Sequence, residues 1–433
     1  MGAVAQATLA TERTIAEPLR VPSRPAAVQN TNQASKIVSR PLPVHAFTQH
    51  RRADDRSKAR GQKVNVGCRG PTSSTWAQSC PTHPDLERER VVVSADGEHF
   101  ACIGTDRQAS IWDCPTASHL KLLPETSVWD IAWSPCGATL VTGSGDGIAR
   151  VWDGNSRILE HSLKGHSRGV TCVAWSPDGF TIATGSADAT VRLWNRNSGT
   201  VKFVLKGHKD TVSSISWSPE GDAVATGSWD TDVRIWSSST GAVLRVLDVE
   251  NAKYEMPDAN MAGAEEVHTW HDSWVWYVSW SPDGNTLAIA AEDCTVKLYN
   301  RRTGKVRRVL GGDFFFFFAA AWSPDGRFLA TCSDIKKKSA KVWWTRRGTL
   351  SHALKGHTDL VTTLAFNPQG DLVVTGSHDG TAKLWASTTG YCIRTFEGHR
   401  GPVTSVAWHP NGREVYTASE DGTVRIYQVV HHE

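Results

Sequence analysis

Histidine, hydroxyl and carboxylate recur through this 433-residue chain at a fixed interval. From His166, His208, His271, His357 and His399 an aspartate lies 22 residues on, at Asp188, Asp230, Asp293, Asp379 and Asp421. Six residues later comes Trp194, Trp236, Tyr299, Trp385 or Tyr427, and Thr184, Thr226 and Thr375 stand inside three of the copies. An imidazole between a hydroxyl and a carboxylate is the make-up of a nucleophilic relay. A reaction needs one such constellation beside a substrate, whereas equivalent copies spread along a chain describe a frame. A buried imidazole and a buried indole N–H each need a partner, and an aspartate accepting from a histidine ties two loops together. The sets are therefore read as structural, with no catalytic residue and no cofactor. The nine cysteines, from Cys68 to Cys392, form no C-x-x-C pair. They read as thiols packed as small hydrophobes in a reducing compartment, with no metal site.

The elements that hold these residues repeat with them. Eight segments end in an aromatic after a short β-type run, at Trp112, Trp152, Trp194, Trp236, Tyr299, Trp343, Trp385 and Tyr427. The steps between them are 40, 42, 42, 63, 44, 42 and 42 residues. Each repeat carries a turn with glycine second, such as Asp96-Gly97, Asp178-Gly179 and Asn411-Gly412, flanked by strand-forming Val, Ile, Thr and Trp. Four short antiparallel strands per repeat fit this length. A lone four-stranded unit leaves apolar faces and open edges, so the units must stack into a closed ring.

Gly165-His166, Gly207-His208, Gly356-His357 and Gly398-His399, with Trp270-His271 as a variant, carry the spacing to Asp and Trp described above. On those residues the chain resembles the WD40-repeat β-propeller family over about 86–433, some four fifths of its length. The resemblance implies an all-β closed propeller, and it implies networks His166–Thr184–Asp188–Trp194, His208–Thr226–Asp230–Trp236 and His357–Thr375–Asp379–Trp385. In this family a strand from the N-terminal side completes the last blade. The last repeat stops near Gln428, so residues 73–80 are the candidate closing strand and eight four-stranded blades result, with seven as the alternative. The domain division is then 1–70, a disordered basic segment, and 71–433, the propeller.

Several repeats depart from the pattern. Pro124 and Asp313 stand where histidine is expected, Ala290 and Cys102 where threonine is, so these blades should rest more on packing. Phe314–Phe318 would aim large rings at both faces of a strand, and Lys336–Lys338 lengthen a turn of the same repeat.

In the family the residue five after the histidine lines the mouth of the central channel. Here that ring reads Glu89, Trp129, Thr171, Ser213, Trp276, Phe318, Thr362 and Thr404. Trp229 and Glu292 precede the turn aspartates of repeats 4 and 5, and Trp274 follows the variant histidine. Trp229, Trp274 and Trp276 should therefore share one sector. Interface anchors are enriched in tryptophan, although an insertion could equally cover these rings. That insertion, about 248–269, holds Asp248, Glu250, Glu255, Asp258, Glu265 and Glu266 against Lys253 alone. Beside the aromatics it would favour a partner peptide with Lys or Arg.

The expected function is a non-catalytic scaffold that binds partner proteins or peptides on this face. The alternatives are a substrate-recognition subunit of a ubiquitin ligase and a propeller subunit of an RNA-associated complex. The W-D-x-R signature of the first is missing at Trp112-Asp113 and Trp152-Asp153. Net charge is +3 overall, but residues 1–60 hold ten Lys or Arg against four acids, which leaves the rest at −3. That balance argues against direct nucleic-acid binding. No apolar run is long enough to span a bilayer, so no membrane partner is expected, and no small-molecule substrate either. The compartment reads as cytoplasmic, with the nucleus and organelle import through the basic N-terminal segment as alternatives.

Overall fold

The computed structural model describes residues 62–65, 89–125, 127–248, 274–291, 295–311, 319–332 and 338–429. The chain divides into two units after Ser57, and all described residues belong to the second, Lys58–Glu433. Their regular elements are strands, arranged as eight four-stranded antiparallel sheets.

In blade 1 the order from the inner edge outward is Arg90–Val93, His99–Ile103, Ala109–Asp113 and His119–Leu122. The inner strands of the next blades are Val128–Trp133, Val170–Trp175, Val212–Trp217, Val275–Trp280, Ala319–Trp322 and Val361–Phe366. Blade 8 has Val403–Trp408, Glu414–Ser419 and Thr423–Gln428, and its fourth strand is Gln62–Asn65. Lys63 pairs with Arg425 and Val64 with Val424.

The closing strand thus differs from the expected one. Gln62–Asn65 fills the edge assigned above to 73–80, a stretch outside the described residues, and it comes from within the segment 1–70. An outermost strand contributes mainly backbone hydrogen bonds and needs little apolar patterning. Gln-Lys-Val-Asn accordingly gave no strand signal.

The core lies between the sheets. Each of eight buried apolar clusters draws on two neighbouring blades, as Val141, Val151 and Leu163 of blade 2 do with Val170, Ile182 and Trp194 of blade 3. The seam of blade 8 with blade 1 is built alike, with Tyr416 and Val424 packed on Phe100 and Trp112. His409 of blade 8 also bonds the Gly97 carbonyl of blade 1 at 2.9 Å. Eight seams and no open face close the ring. Glycine makes the seams tight: a Cβ on Gly185 would lie 2.7 Å from Val212 and 2.6 Å from the Cys172 sulfur. Gly143, Gly227 and Gly376 meet the valine that opens the next inner strand in the same way.

Candidate functional site

The His–Thr–Asp–Trp sets are hydrogen-bonded chains. In blade 3 the Trp194 indole donates to Thr184 Oγ1 at 2.9 Å, and Thr184 lies 2.7 Å from His166 Nε2. His166 Nδ1 lies 2.9 Å from Asp188. A neutral imidazole protonated at Nδ1 satisfies all four groups at once. Burial holds the His166 imidazole below its ordinary range, against the pull of Asp188. Burial alone would raise the Asp188 carboxyl, but bonds from Thr190 and the Ser167 N–H, with His166 beside it, hold it at about 2. Blades 4 and 7 repeat the chain through His208, Thr226, Asp230 and Trp236, and through His357, Thr375, Asp379 and Trp385. Blade 8 adds His399, Thr417 and Asp421, with the Tyr427 hydroxyl donating to the Glu397 carbonyl. The hydroxyls of Thr184, Thr226, Thr375 and Thr417 each face an imidazole inside a blade, and the first three also receive an indole. The chains hold the blades.

Blade 2 departs from the expectation drawn from Pro124. Glu125, one residue further on and 5 % exposed, takes the place of the histidine. Its carboxylate accepts from Thr142 at 2.7 Å, from the Trp152 indole at 2.9 Å and from Arg150 at 3.3 Å. Burial pushes the Glu125 carboxyl up, partly offset by Thr142 and Arg150. Glu125, Thr142, Arg150 and Trp152 thus form a hydrogen-bonded set without a histidine. Blade 1, with Cys102 in the threonine position, uses Ser110 instead, which receives the Trp112 indole at 2.8 Å. In blade 6 Thr331 receives Trp343 at 2.9 Å, while Asp313, Phe314–Phe318 and Lys336–Lys337 lie outside the described residues. So do His271 and Asp293 of blade 5.

The residues expected at the channel mouth share a backbone feature. In blades 2, 3, 4, 5, 7 and 8 the inner strand slips register around its second residue, which is Trp129, Thr171, Ser213, Trp276, Thr362 or Thr404. A bulge leaves one residue unpaired and re-aims its side chain. Where that residue carries a hydroxyl, it pegs the ring together. Thr171 donates to the Val212 carbonyl, Ser213 to Val275 and Thr362 to Val403 at 2.8 Å. Thr404 donates to Glu89 Oε2 at 2.9 Å across the closing seam. Glu89 is therefore buried between blades 8 and 1, and burial raises its carboxyl. Trp129 lies over the seam of blades 2 and 3, where a Cβ on Gly169 would come within 2.4 Å of its ring, and its indole donates to Ser127 at 3.0 Å. Glu292 and Phe318 lie outside the described residues.

Sequence reasoning missed a second inner set. Arg90 of blade 1 pairs with Asp130 of blade 2, whose other oxygen accepts the Val173 N–H of blade 3 at 2.9 Å. An arginine one residue from the projected ring was the available signal.

Trp229, Trp274 and Trp276 do come together. Their ring centroids are 5.6, 5.8 and 6.1 Å apart, one pair stacked and two edge-on. All three are half-buried. Rings at these distances touch one another, so they make a platform on blades 4 and 5. Trp229 follows the second strand of blade 4, while Trp276 is the bulged residue of blade 5; the insertion of about 248–269 lies almost wholly outside the described residues.

Comparison with known proteins agrees with this architecture. The family model described as WD domain, G-beta repeat matches residues 118–153, 157–195, 199–237, 264–300, 304–343, 348–386 and 390–428. The chain belongs to the WD40 family. Six of the seven matches take in the outer strand of one blade and three strands of the next, and the match 264–300 covers the three strands of blade 5, so seven matched repeats and an unmatched start fit eight blades. Protein tipD of Dictyostelium discoideum is 34% identical over 27% of this chain and 19% of its own length. COMPASS component SWD3 of Saccharomyces cerevisiae is 38% identical over 23% of this chain and 30% of its own. The matched stretches thus span less than a third of either relative. The crystal structure of the computationally designed Ika8 protein superposes with a TM-score of 0.66 at 24% identity, covering 80% of this chain and 97% of that one, and shares the fold.

Proposed function

We propose that this WD40 propeller is a non-catalytic interaction scaffold that docks a partner peptide on the platform of Trp229, Trp274 and Trp276. The observation that carries the reading is three tryptophans gathered on one sector although none of them belongs to a His–Thr–Asp–Trp set. Large rings held half out of water at one place are the composition of a binding hot spot. The sequence of the adjoining insertion is acidic, so the favoured partner bears Lys or Arg, whose cation gains from both the ring faces and the carboxylates. One relative is by name a component of an assembly, COMPASS, which fits a subunit role. The six described cysteines are free thiols, and burial raises Cys102 to about 11 and Cys172 to about 12. Free thiols of this kind fit the cytoplasm, with the nucleus as the alternative compartment.

The reading is tested by selecting a displayed peptide library on the full chain and on a Trp229→Ala, Trp276→Ala variant. The parent should enrich Lys- or Arg-bearing peptides and the variant should lose them. The same peptides selected by both proteins would remove the platform as the docking site.

A further inference from the structure

The outer rim of blades 4 to 6 carries a concentration of positive charge unlike the rest of the ring. Residues 301–308 hold Arg301, Arg302, Lys305, Arg307 and Arg308 without one Asp or Glu. Residues 345–355 add Arg346, Arg347 and Lys355, again with no acid. The corresponding turns of other blades are neutral at the same place: Asn155-Ser156, Ser239-Thr240 and Thr388-Thr389.

The fold makes these residues one surface. In several blades a side chain of the outer strand supports the next blade's turn, as His161 does at the Asn197 carbonyl and His352 at Thr388. In blade 4 this is Arg245, whose guanidinium donates to the carbonyls of Arg302 and Thr303 at 2.8 and 3.2 Å. In blade 5 it is Arg308, against which Gly348 of the blade 6 turn rests. The turns so fixed present Arg302, Lys305, Arg346 and Arg347 to solvent. Among the described residues none of these four has a carboxylate in ion-pair contact, whereas Arg301 pairs with Glu220 and Asp222, and Arg327 with Asp325.

Aliphatic side chains are also exposed on the outer strands of these blades. On the outer strand of blade 4, Val243–Asp248, the exposures of Val243, Leu244 and Val246 are 42, 56 and 45 %, and Leu350 next to the blade 6 turn is 46 % exposed. Exposed aromatics for stacking bases are lacking among the described residues of this sector. Trp344 is half-buried with its centroid 4.4 Å from Phe328 and Arg347 already above it. The surface is the outward edge of the ring, not a groove for a chain.

We propose that this rim rests on an anionic phospholipid bilayer, with Arg302, Lys305, Arg346 and Arg347 at the phosphate headgroups and Leu244, Val246 and Leu350 at the acyl boundary. Basic side chains gain from an anionic leaflet, and aliphatic ones add burial at the boundary. The sequence expectation of no membrane partner rested on the lack of a spanning segment, which does not bear on peripheral contact. The site lies apart from the tryptophan platform, so either can fail without the other.

The test is co-sedimentation of the full chain with vesicles of phosphatidylcholine alone or mixed with phosphatidylserine. Arg302→Glu, Lys305→Glu, Arg346→Glu and Arg347→Glu together should lower partition onto the mixed vesicles by at least about tenfold. A control with the same charge change on blades 2 to 4 (Lys164→Glu, Arg168→Glu, Lys206→Glu and Lys209→Glu) should retain most of the binding. Leu244→Ser with Val246→Ser should lose several-fold at raised salt, where the charge contribution is screened. Equal losses in the two four-fold variants would overturn the proposal, since net charge or the basic N-terminal segment would then explain the binding. So would a parent chain that ignores the vesicles but holds an oligonucleotide or an acidic peptide through these arginines.

Discussion

The Glu125 carboxylate accepts the Trp152 indole N–H at 2.9 Å, in the place where blades 3, 4, 7 and 8 keep a histidine. A carboxylate has no proton to give, so the polarity of the chain changes: Thr142, Trp152 and Arg150 all donate toward it. Truncation to alanine removes the buried acceptor shared by three donors and leaves Arg150 with Asp146 alone and the indole with Thr142 alone. Glu125→Ala is expected to cost about 3 kcal/mol in denaturant unfolding. Glu125→Gln keeps one acceptor oxygen and should cost about 1 kcal/mol. Because the folded carboxyl titrates above its ordinary value, the folded state holds the proton longer, and the native glutamate loses stability as pH rises through that interval. The glutamine penalty should therefore shrink between acid and neutral pH. A penalty that grows with pH would contradict the assignment.

Asp188 has the opposite sign. Its carboxyl is held at about 2, below the ordinary aspartate value near 3.9. The stability it contributes is complete above that ordinary value and disappears as pH falls toward 2. Native protein should lose about 1 to 2 kcal/mol more than Asp188→Asn between pH 4 and pH 2. Parallel acid-unfolding curves for the two proteins would show that the His166 contact does not stabilise the carboxylate.

The frame was legible because its signals are periodic. The histidine-to-aspartate interval and the aromatic at each third strand survive in the sequence of one chain, and they led to the blades and to three networks. Glu125 escaped for a geometric reason. The histidines stand four residues before the inner strand, as His166 does before Val170, whereas Glu125 stands three before Val128. A longer acidic side chain crosses that offset, and a spacing rule does not. The inner bulges were equally hidden, since two residues opposite one leave no mark in an alternating pattern. The projected ring named six bulged positions without showing that Thr171, Ser213, Thr362 and Thr404 are spent between blades. The tryptophan cluster was found because its members were surplus to the repeat.

The position of the closing strand makes truncation decisive. A chain beginning at Lys58 keeps Gln62–Asn65 and should melt with the full-length protein. A chain beginning at Gly67 uncovers the edge of Thr423–Gln428, where Val64 and Lys63 now pair. It should melt at a lower temperature and associate during size-exclusion chromatography, because an open edge recruits other strands. Indistinguishable melting of the two truncated chains would show that the strand contributes nothing to closure.

The seams give a last test. Gly185 sits where a Cβ would stand 2.7 Å from the Val212 side chain of the next blade, so at this point the blade 3 backbone meets a blade 4 side chain directly. Gly185→Val inserts an isopropyl group into a contact without room for a methyl. Neighbouring inner strands are linked by Thr171 at the same seam, so the blades cannot separate locally without losing that bond as well. The substitution is expected to cost at least about 2 kcal/mol in denaturant unfolding, by overpacking and not by loss of backbone freedom. Shortening the facing side chain with Val212→Ala in the same protein should recover part of that loss, although Val212→Ala alone destabilises. Additive penalties in the double variant would mean that the two residues do not meet, and the tight seam between these blades would have to be given up.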